Sequence, residues 1–169
     1  MADTPPARAR DAVHLFERLY ADLQAPILNY LYRLVGDSAQ AEDLSQEAFT
    51  RAWRARGTLA QVDNPRAWLY RIATNAARDH LRRARLLAWL PLLGSDTRLA
   101  VEGPEDSTLE AARMQRALLR LAPDYRIPLV LYTCQDCSVA EIATALNLST
   151  DAVKQRLARA RRQLREAYQ

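Results

Sequence analysis

Glycine and cysteine are both scarce in this sequence, which has 4 glycines and 2 cysteines among 169 residues. Alanine, leucine and arginine dominate instead, and that composition favours helix over sheet. The two cysteines, Cys134 and Cys137, are too few for the disulfide framework of a small secreted domain. A disulfide-rich extracellular fold is therefore excluded.

Long apolar runs are also missing. No stretch approaches the roughly 18 apolar residues that a membrane-spanning helix needs. The N-terminal residues MADTPPARARDAV contain no apolar run of the kind that a signal peptide carries. We therefore expect a cytoplasmic protein with no membrane insertion of its own.

What the sequence does contain is a helical pattern of apolar residues. Hydrophobic residues make up 49% of the chain, which is enough for a packed core. Apolar positions recur at spacings of three and four in two blocks, and a segment interrupted by Pro and Gly separates the blocks. The pattern predicts an all-α protein with two small helical domains joined by a flexible linker. The predicted parts are a loose tail over 1–10, a first domain over 11–86, a linker over 87–108 and a second domain over 109–169.

Local signals set the bounds of the individual helices. In the first domain, helical pattern is predicted over 11–35, 38–55 and 65–85, with Asp37 and Asn64 as N-caps. Pro26 either kinks the first of these helices or starts a second helix within 11–35. In the second domain, helices are predicted over 109–121, 125–132, 139–146 and 149–168.

Charge is segregated along the chain, although the net charge is only +4. Residues 37–50 contain four acidic side chains and no basic one. Residues 65–85 contain six arginines and one acidic residue, and residues 152–165 contain six basic residues and no acidic one. One acidic face and two basic faces indicate two kinds of partner.

The segment SVAEIATALNLSTDAVKQRLARARRQL has the pattern of a helix-turn-helix. Its first helix ends at Asn147, which tolerates the left-handed conformation that a sharp turn requires, and Ser149 caps the second helix. The second helix has one apolar stripe, and basic residues lie opposite it, as in a helix that enters the major groove of DNA. The candidates for contacts with base edges are Lys154, Gln155 and Arg159. The candidates for contacts with phosphates are Arg156, Arg161 and Arg162. The alternative is a solvated basic face on a C-terminal helix.

In SAQAEDLSQEAFTRAW, the side chains of Asp43, Gln46 and Glu47 share one helix face. No basic residue accompanies them locally, so this face suits a basic protein surface. An ordinary solvated acidic face is the alternative. Phe49 and Trp53 are four residues apart and are predicted to stack on each other.

In NPRAWLYRIATNAARDHLRR, a basic track runs along one face of the predicted helix. Such a track suits single-stranded or melting DNA, because cations follow the backbone and an aromatic ring supports an unstacked base. For Trp68, at the start of this face, we expect packing in the core rather than base contact. The candidate residues of the track are Arg71, Asn75, Arg78 and Arg82.

Together these motifs resemble the bacterial sigma factors of the extracytoplasmic-function (ECF) group. AEDLSQEAFTRAW is similar to that family's polymerase-binding helix, and NPRAWLYRIATNAARDHLRR to its helix for the minus-ten promoter element. The L-A-P-x-x-R motif followed by the helix-turn-helix is similar to its minus-thirty-five-binding domain. The sequence departs from the family at Cys137 and Asn147, where glycine is usual.

The resemblance implies a function and a set of partners. It implies a sigma factor that directs core RNA polymerase to promoter DNA, aids melting in transcription initiation, is nucleoid-associated when active, and binds an anti-sigma factor. Asp43, Gln46 and Glu47 would contact the polymerase clamp, and the segment 109–132 would contact the polymerase flap. Asn75 and the loop 56–64 would hold the melted minus-ten strand.

No catalytic constellation and no cofactor motif is recognisable in the sequence. Cys134-x-x-Cys137 suits redox chemistry or half a zinc site, but zinc needs about two more ligands and the only histidines are His14 and His80. We expect a structural role for the cysteines, no metal, no small-molecule substrate and no enzymatic activity. Two alternatives in function remain: a helix-turn-helix regulator that acts without polymerase docking, and a helical scaffold.

Overall fold

The computed structural model describes residues 7–88 and 108–168, and in these ranges the chain is helical. A short 3-10 helix, Arg56–Gln61, lies between the second and third α-helices. The α-helices are α1 (Ala7–Val35), α2 (Ser38–Arg54), α3 (Pro65–Ala88), α4 (Leu109–Arg120), α5 (Pro123–Cys134), α6 (Val139–Leu146) and α7 (Thr150–Tyr168). The all-helical fold with a C-terminal helix-turn-helix is confirmed. No described helix is long and apolar enough to cross a membrane.

The predicted caps stand at the starts of α2 and α3. Asp37 accepts a hydrogen bond from the backbone N–H of Gln40 through Oδ1 at 2.8 Å. Asn64 accepts one from the N–H of Ala67 through Oδ1 at 2.9 Å. Both helices therefore begin where side chains satisfy amide groups that the helix itself leaves without a partner.

Other boundaries differ from the prediction. α1 begins at Ala7 rather than Asp11 and continues through Pro26 without ending. The loop 56–64 contains the 3-10 helix, and α3 continues to Ala88, beyond the predicted end at Arg85. The rest of the predicted linker, up to residue 107, lies outside the described residues.

The first domain packs α1, α2 and α3 around a core of large buried side chains. Tyr30 of α1 and Tyr70 of α3 meet edge to face, with ring centroids 5.4 Å apart. The Tyr30 hydroxyl lies 2.7 Å from Oγ1 of Thr74, so its polar end is satisfied inside the core. Burial raises the pKa of the Tyr30 hydroxyl far above its ordinary value, so this hydroxyl stays protonated.

The second domain packs α4 to α7 around a core that includes Ile127, Ile142, Val153 and Leu157. This core is continuous with that of the first domain, because α4 and α5 lie against α1 and α6 lies against α3. The sequence predicts domains that move independently and gives no sign of this contact. In the structure the two domains pack on each other.

Candidate nucleic-acid interface

The helix-turn-helix is built from three local hydrogen-bonding devices. Ser138 and Glu141 form a reciprocal capping box at the start of α6: Ser138 Oγ accepts from the Glu141 N–H at 3.2 Å, and Glu141 Oε2 accepts from the Ser138 N–H at 2.8 Å. α6 ends at Asn147, which has φ 53° and ψ 52°, the left-handed conformation that the sequence predicts. Ser149 Oγ then accepts from the Ala152 N–H at 3.1 Å and starts α7.

α7 turns its apolar stripe inward and a polar row outward. Val153, Leu157 and Ala160 are buried in the second domain. The three candidates for base contact are exposed: Gln155 and Arg159 lie opposite the stripe, and Lys154 lies beside it. Within the described part of the chain, the side chains of Gln155 and Arg159 have no hydrogen-bond or ion-pair partner, whereas Lys154 Nζ lies 3.4 Å from Asp151 Oδ1. Lys154, Gln155 and Arg159 form the outward row of α7. These side chains can contact an external ligand without breaking a strong pair within the protein.

The three candidates for phosphate contact differ in their surroundings. Arg156 is half-buried, and its Nη1 lies 3.5 Å from Oδ1 of Asp124 at the start of α5. The guanidinium of Arg161 lies over the ring of Tyr132, 5.1 Å from its centroid. Arg162 is exposed. Helical spacing did not reveal the contacts of Arg156 and Arg161, because Asp124 and Tyr132 belong to another helix.

Only part of the basic track on α3 is both accessible and without an internal partner. Arg71 and Asn75 are exposed and Arg78 is half-buried, with no side-chain partner among the described residues. Arg82 donates to Asp79 Oδ1 at 3.0 Å. Trp68 is only 7% exposed, so it packs in the core, as predicted.

The acidic residues of α2 have a basic neighbour that the sequence analysis missed. Arg51 lies one turn after Glu47, and its Nη2 donates to Glu47 Oε1 at 2.5 Å. Arg51 Nη1 also lies 3.8 Å from Asp79 Oδ2 on α3. The expectation of an acidic face without local basic partners is therefore wrong, and the i, i+4 spacing of the two residues could have revealed the pair.

The three predicted residues of the acidic face also border two different depressions. Asp43 and Glu47 line one between α2 and the end of α3, beside His80 and Arg83. Gln46 lines another, between α1 and α2. A helix rotates by about 100° per residue, so Gln46 and Glu47 point in directions that differ by that angle.

The predicted stacking of Phe49 on Trp53 is replaced by contacts with α1. Tyr20 packs on Phe49 with ring centroids 4.7 Å apart, and Phe16 packs on Trp53 at 5.1 Å. The guanidinium of Arg56 lies over the Trp53 ring, with Cζ 3.9 Å from the ring centroid. These aromatic contacts join α2 to α1. Phe49 and Trp53 therefore each pack on a different residue of α1 instead of on each other.

The two cysteines have different environments. Cys134 is exposed and Cys137 is buried, and both are free thiols. Burial raises the pKa of the Cys137 thiol to about 11. The described residues contain no group of His, Cys, Asp and Glu side chains that could hold a metal ion. The left-handed residue of this loop is Asp136, with φ 50°, so replacement of the usual glycine by Cys137 causes no strain at that position.

Comparison with known proteins identifies the two domains. The family described as Sigma-70 region 2 matches residues 19–86, and the family described as Sigma-70, region 4 matches residues 111–164. The chain is 34% identical to the ECF RNA polymerase sigma factor SigL of Mycobacterium tuberculosis over 100% of this chain and 97% of the relative. The chain belongs to the ECF RNA polymerase sigma factors. A sigma factor of this kind directs RNA polymerase to promoters and is not an enzyme.

Further relatives agree with this family. The ECF sigma factor SigW of Bacillus subtilis is 33% identical and matches 83% of this chain and 81% of its own length. A solved structure of CnrH in complex with the cytosolic domain of CnrY has a TM-score of 0.67 at 28% identity, over 94% of this chain and 92% of that one. The sigma factor RpoE in complex with the anti-sigma factor NepR, from Bartonella quintana, shares the fold with a TM-score of 0.76 at 23% identity, over 90% of this chain and 95% of that one.

Proposed function

We propose that this sigma factor docks on core polymerase through α2, holds the melted minus-ten strand on α3 and reads the minus-thirty-five element with α7. The observation that carries the proposal is the outward row of α7. Its side chains are exposed beside a buried apolar stripe, at the end of a helix-turn-helix with a left-handed Asn147. We further propose a cytoplasmic location, where polymerase and promoter DNA are found.

Base reading on α7 requires side chains with matching hydrogen-bond geometry. Arg159 can donate two parallel hydrogen bonds to guanine, and Gln155 can both donate to and accept from adenine. Gln155 lies in the N-terminal half of α7, the half that recognition helices present to base edges, and Arg159 lies at the midpoint of the helix. The phosphate contacts would come from Arg161 and Arg162, with Arg156 available if it exchanges Asp124 for a phosphate.

The proposal that α3 holds the melted DNA strand rests on the neutral amide of Asn75, which lies between arginine side chains. Arg71 and Arg78 flank Asn75 at one-turn spacing, so cationic groups can follow a DNA backbone while the amide meets an unstacked base. The 3-10 helix Arg56–Gln61 lies three residues before the start of α3 at Pro65. Promoter melting would be favoured because the open strand gains contacts that duplex DNA cannot make.

Polymerase docking rests on two carboxylates on the same side of α2. Glu47 is partly exposed and paired with Arg51, and Asp43 is exposed. A basic protein surface can form charge-assisted hydrogen bonds with both carboxylates. We also propose that α4 and α5 contact the polymerase flap.

An anti-sigma factor is the further partner that we propose. Solved relatives are found in protein complexes: RpoE with the anti-sigma factor NepR, and CnrH with the cytosolic domain of CnrY. The support for this chain is its likeness to CnrH over nearly its whole length.

The decisive experiment measures binding to core RNA polymerase. The double variant Asp43→Lys/Glu47→Lys should bind core enzyme at least about 30-fold more weakly, because an interfacial charge pair that loses one partner costs roughly 2–5 kcal/mol. The matched control is Asp22→Lys, a charge reversal at an exposed position of α1. Unchanged core affinity in the double variant, with helicity retained, would favour a regulator that acts without polymerase docking.

A further inference from the structure

We propose that Asp124 is a positioning residue that makes DNA reading more selective: its carboxylate holds Arg156 away from DNA phosphates unless base contacts bring a phosphate to that position. This inference rests on the proposed reading of the minus-thirty-five element by α7, and it concerns how selective that reading is. The two residues that carry it lie at the start of α5 and in the first half of α7.

The ion pair between α5 and α7 is the first observation. Asp124 is the second residue of α5, and its Oδ1 lies 3.5 Å from Nη1 of Arg156. The Asp124 side chain is 68% exposed and the Arg156 side chain is 29% exposed. A partly exposed pair of this kind is weak, because water and salt screen it. The carboxylate therefore orients Arg156, yet a DNA phosphate can replace it.

The second observation is the place of this pair beside the outward row. Asp124 and Arg156 line a depression between α5 and α7 together with Gln155 and Arg159, two of the candidates for base contact. At about 100° per residue, Arg156 points about 60° away from Arg159, toward α5. A duplex whose bases meet Gln155 and Arg159 therefore passes next to this depression.

The carboxylate of Asp124 has two effects on a DNA backbone at this place. It engages the guanidinium that would bind a phosphate, and its negative charge opposes a phosphate that approaches the depression. A phosphate gains Arg156 only by displacing Asp124. Arg161 and Arg162 have no carboxylate partner in the described part of the chain, so they can bind phosphates without this exchange.

Base contacts decide on which DNA the exchange takes place. Gln155 directly precedes Arg156, so a hydrogen bond between Gln155 and a base fixes Arg156 against the backbone. On the preferred element, one phosphate is then held at the guanidinium and replaces Asp124. On other sequences no register is fixed, and mobile phosphates compete poorly with a carboxylate that the protein already holds in place. Asp124 therefore lowers the affinity for non-preferred DNA more than the affinity for preferred DNA.

Asp124 also has an ordinary structural role, which the test must separate from this one. A carboxylate in the first turn of a helix interacts favourably with the helix dipole, and the N-cap Ala122 offers no side-chain hydrogen bond to α5. Loss of the dipole interaction would lower the free energy of unfolding. It would not change how DNA binding depends on sequence or on salt.

The test measures DNA binding by holoenzyme that contains either the unmodified sigma factor or Asp124→Asn. Two DNAs differ only at the minus-thirty-five element: one has the sequence that the unmodified holoenzyme selects from a library, and the other has that sequence scrambled. Affinities are measured by competition at several salt concentrations. Glu166→Gln is the matched control, because it removes one exposed carboxylate near the other end of α7. Urea denaturation of the free variants checks folding, and Asp124→Ser is a second neutral variant.

The expected result is a gain that depends on sequence. Asp124→Asn should raise the affinity for the scrambled DNA about threefold to tenfold and for the selected DNA less than about twofold. The salt slope should increase by about one on the scrambled DNA only, because one phosphate contact is added there. Glu166→Gln should change both affinities alike. In an Arg156→Gln background, Asp124→Asn should leave the ratio of the two affinities unchanged, and Asp124→Glu should retain the ratio of the unmodified protein.

Three results would overturn the inference while the reading by α7 stands. The first is an equal gain on both DNAs, which would make Asp124 a repulsive charge only. The second is a change of the affinity ratio by Asp124→Asn in the Arg156→Gln background. The third is an altered preference at a single base, which would make Asp124 a base-reading residue. If the unmodified holoenzyme selects no minus-thirty-five sequence, the proposed function of α7 fails, and this inference fails with it.

Discussion

At the scale of single residues, arginines in the second domain have different physical states. Arg159 is exposed with no partner in the described part of the chain, whereas Arg161 lies over an aromatic ring and Arg156 faces a carboxylate. Arg126 of the L-A-P-x-x-R motif is 5% exposed, and burial lowers its pKa to about 10. The helical spacing of the sequence separates inward from outward positions, but it cannot show which outward arginine is engaged with another helix.

This difference leads to a prediction for the recognition helix. Arg159→Ala should cost about 1–3 kcal/mol and relax the base preference at one position of the minus-thirty-five element. Arg161→Ala should weaken binding to all sequences alike and lower the salt slope by about one. Both are measured with holoenzyme on a library of minus-thirty-five sequences. An unaltered base preference in Arg159→Ala would contradict its assignment.

Asn75 supports a prediction about melting. Asn75→Ala should impair promoter opening and leave closed-complex binding nearly unchanged, because the α3 track contacts a strand rather than duplex. Permanganate footprinting reports the melted region, and filter binding reports the closed complex. Asn29→Ala, at an exposed position of α1, is the control. Normal opening by Asn75→Ala would exclude Asn75 from the strand site.

At the scale of elements, caps and turns follow the sequence closely. The starts of α2 and α3 and the turn at Asn147 depend on interactions within three or four residues, so local sequence predicts them. The helix ends that differ from the prediction, such as Ala7 and Ala88, have no such local signal in the sequence. Contacts between helices are less predictable: Phe49 and Trp53 each pack on a different aromatic residue of α1.

The capping box of α6 predicts a pH dependence of stability. Hydrogen bonds from the backbone and then the side chain of Ser138 lower the pKa of Glu141 below its ordinary value of 4.5. A lowered folded-state pKa stabilises the protein above the unfolded pKa, and this stability is lost as pH falls through the folded value. Glu141→Gln keeps a capping acceptor but has no charge, so it should lose about 0.5–1 kcal/mol at neutral pH.

The measurement is urea denaturation at several pH values. The stability difference between the unmodified protein and Glu141→Gln should shrink as pH falls from neutrality through the lowered pKa of Glu141, because the carboxylate is then protonated. Glu166→Gln on α7 is the control, since Glu166 is exposed and has no partner among the described residues. A stability difference that does not change with pH would show that the charge of Glu141 does not contribute to the capping box.

At the scale of the whole molecule, the contact between domains is the main feature that the sequence analysis did not predict. Gln115 and Gln135 look like ordinary polar residues in the sequence, yet both are buried between domains. Gln115 bonds Arg33, 82 residues away along the chain, and Gln135 bonds Tyr70, 65 residues away. No helical period or cap motif relates residues at such distances.

Gly36 and Leu119 test this contact thermodynamically. Gly36→Ala should destabilise the protein by about 1–2 kcal/mol through its left-handed φ, with a further cost from the clash with Leu119. Leu119→Ala should remove the clash but not the backbone cost. A double-mutant cycle by urea denaturation should therefore give a coupling energy of about 0.5–2 kcal/mol. Additive effects would mean that the residues are not in contact in solution.

Local patterns in the sequence were enough to predict the helical class, the two domains, the helix-turn-helix and the family. Its apolar periods, caps and motifs are local, and each is complete within one or two helices. The packing of distant helices is what places Arg156 beside Asp124 and brings Arg51, the i+4 partner of Glu47, near Asp79. It alone joined the domains through Gln115 and Gln135, because such contacts depend on which surfaces meet when distant helices pack. A sequence pattern describes the faces of one helix at a time. Which side chain from another helix contacts each face depends on how the helices pack.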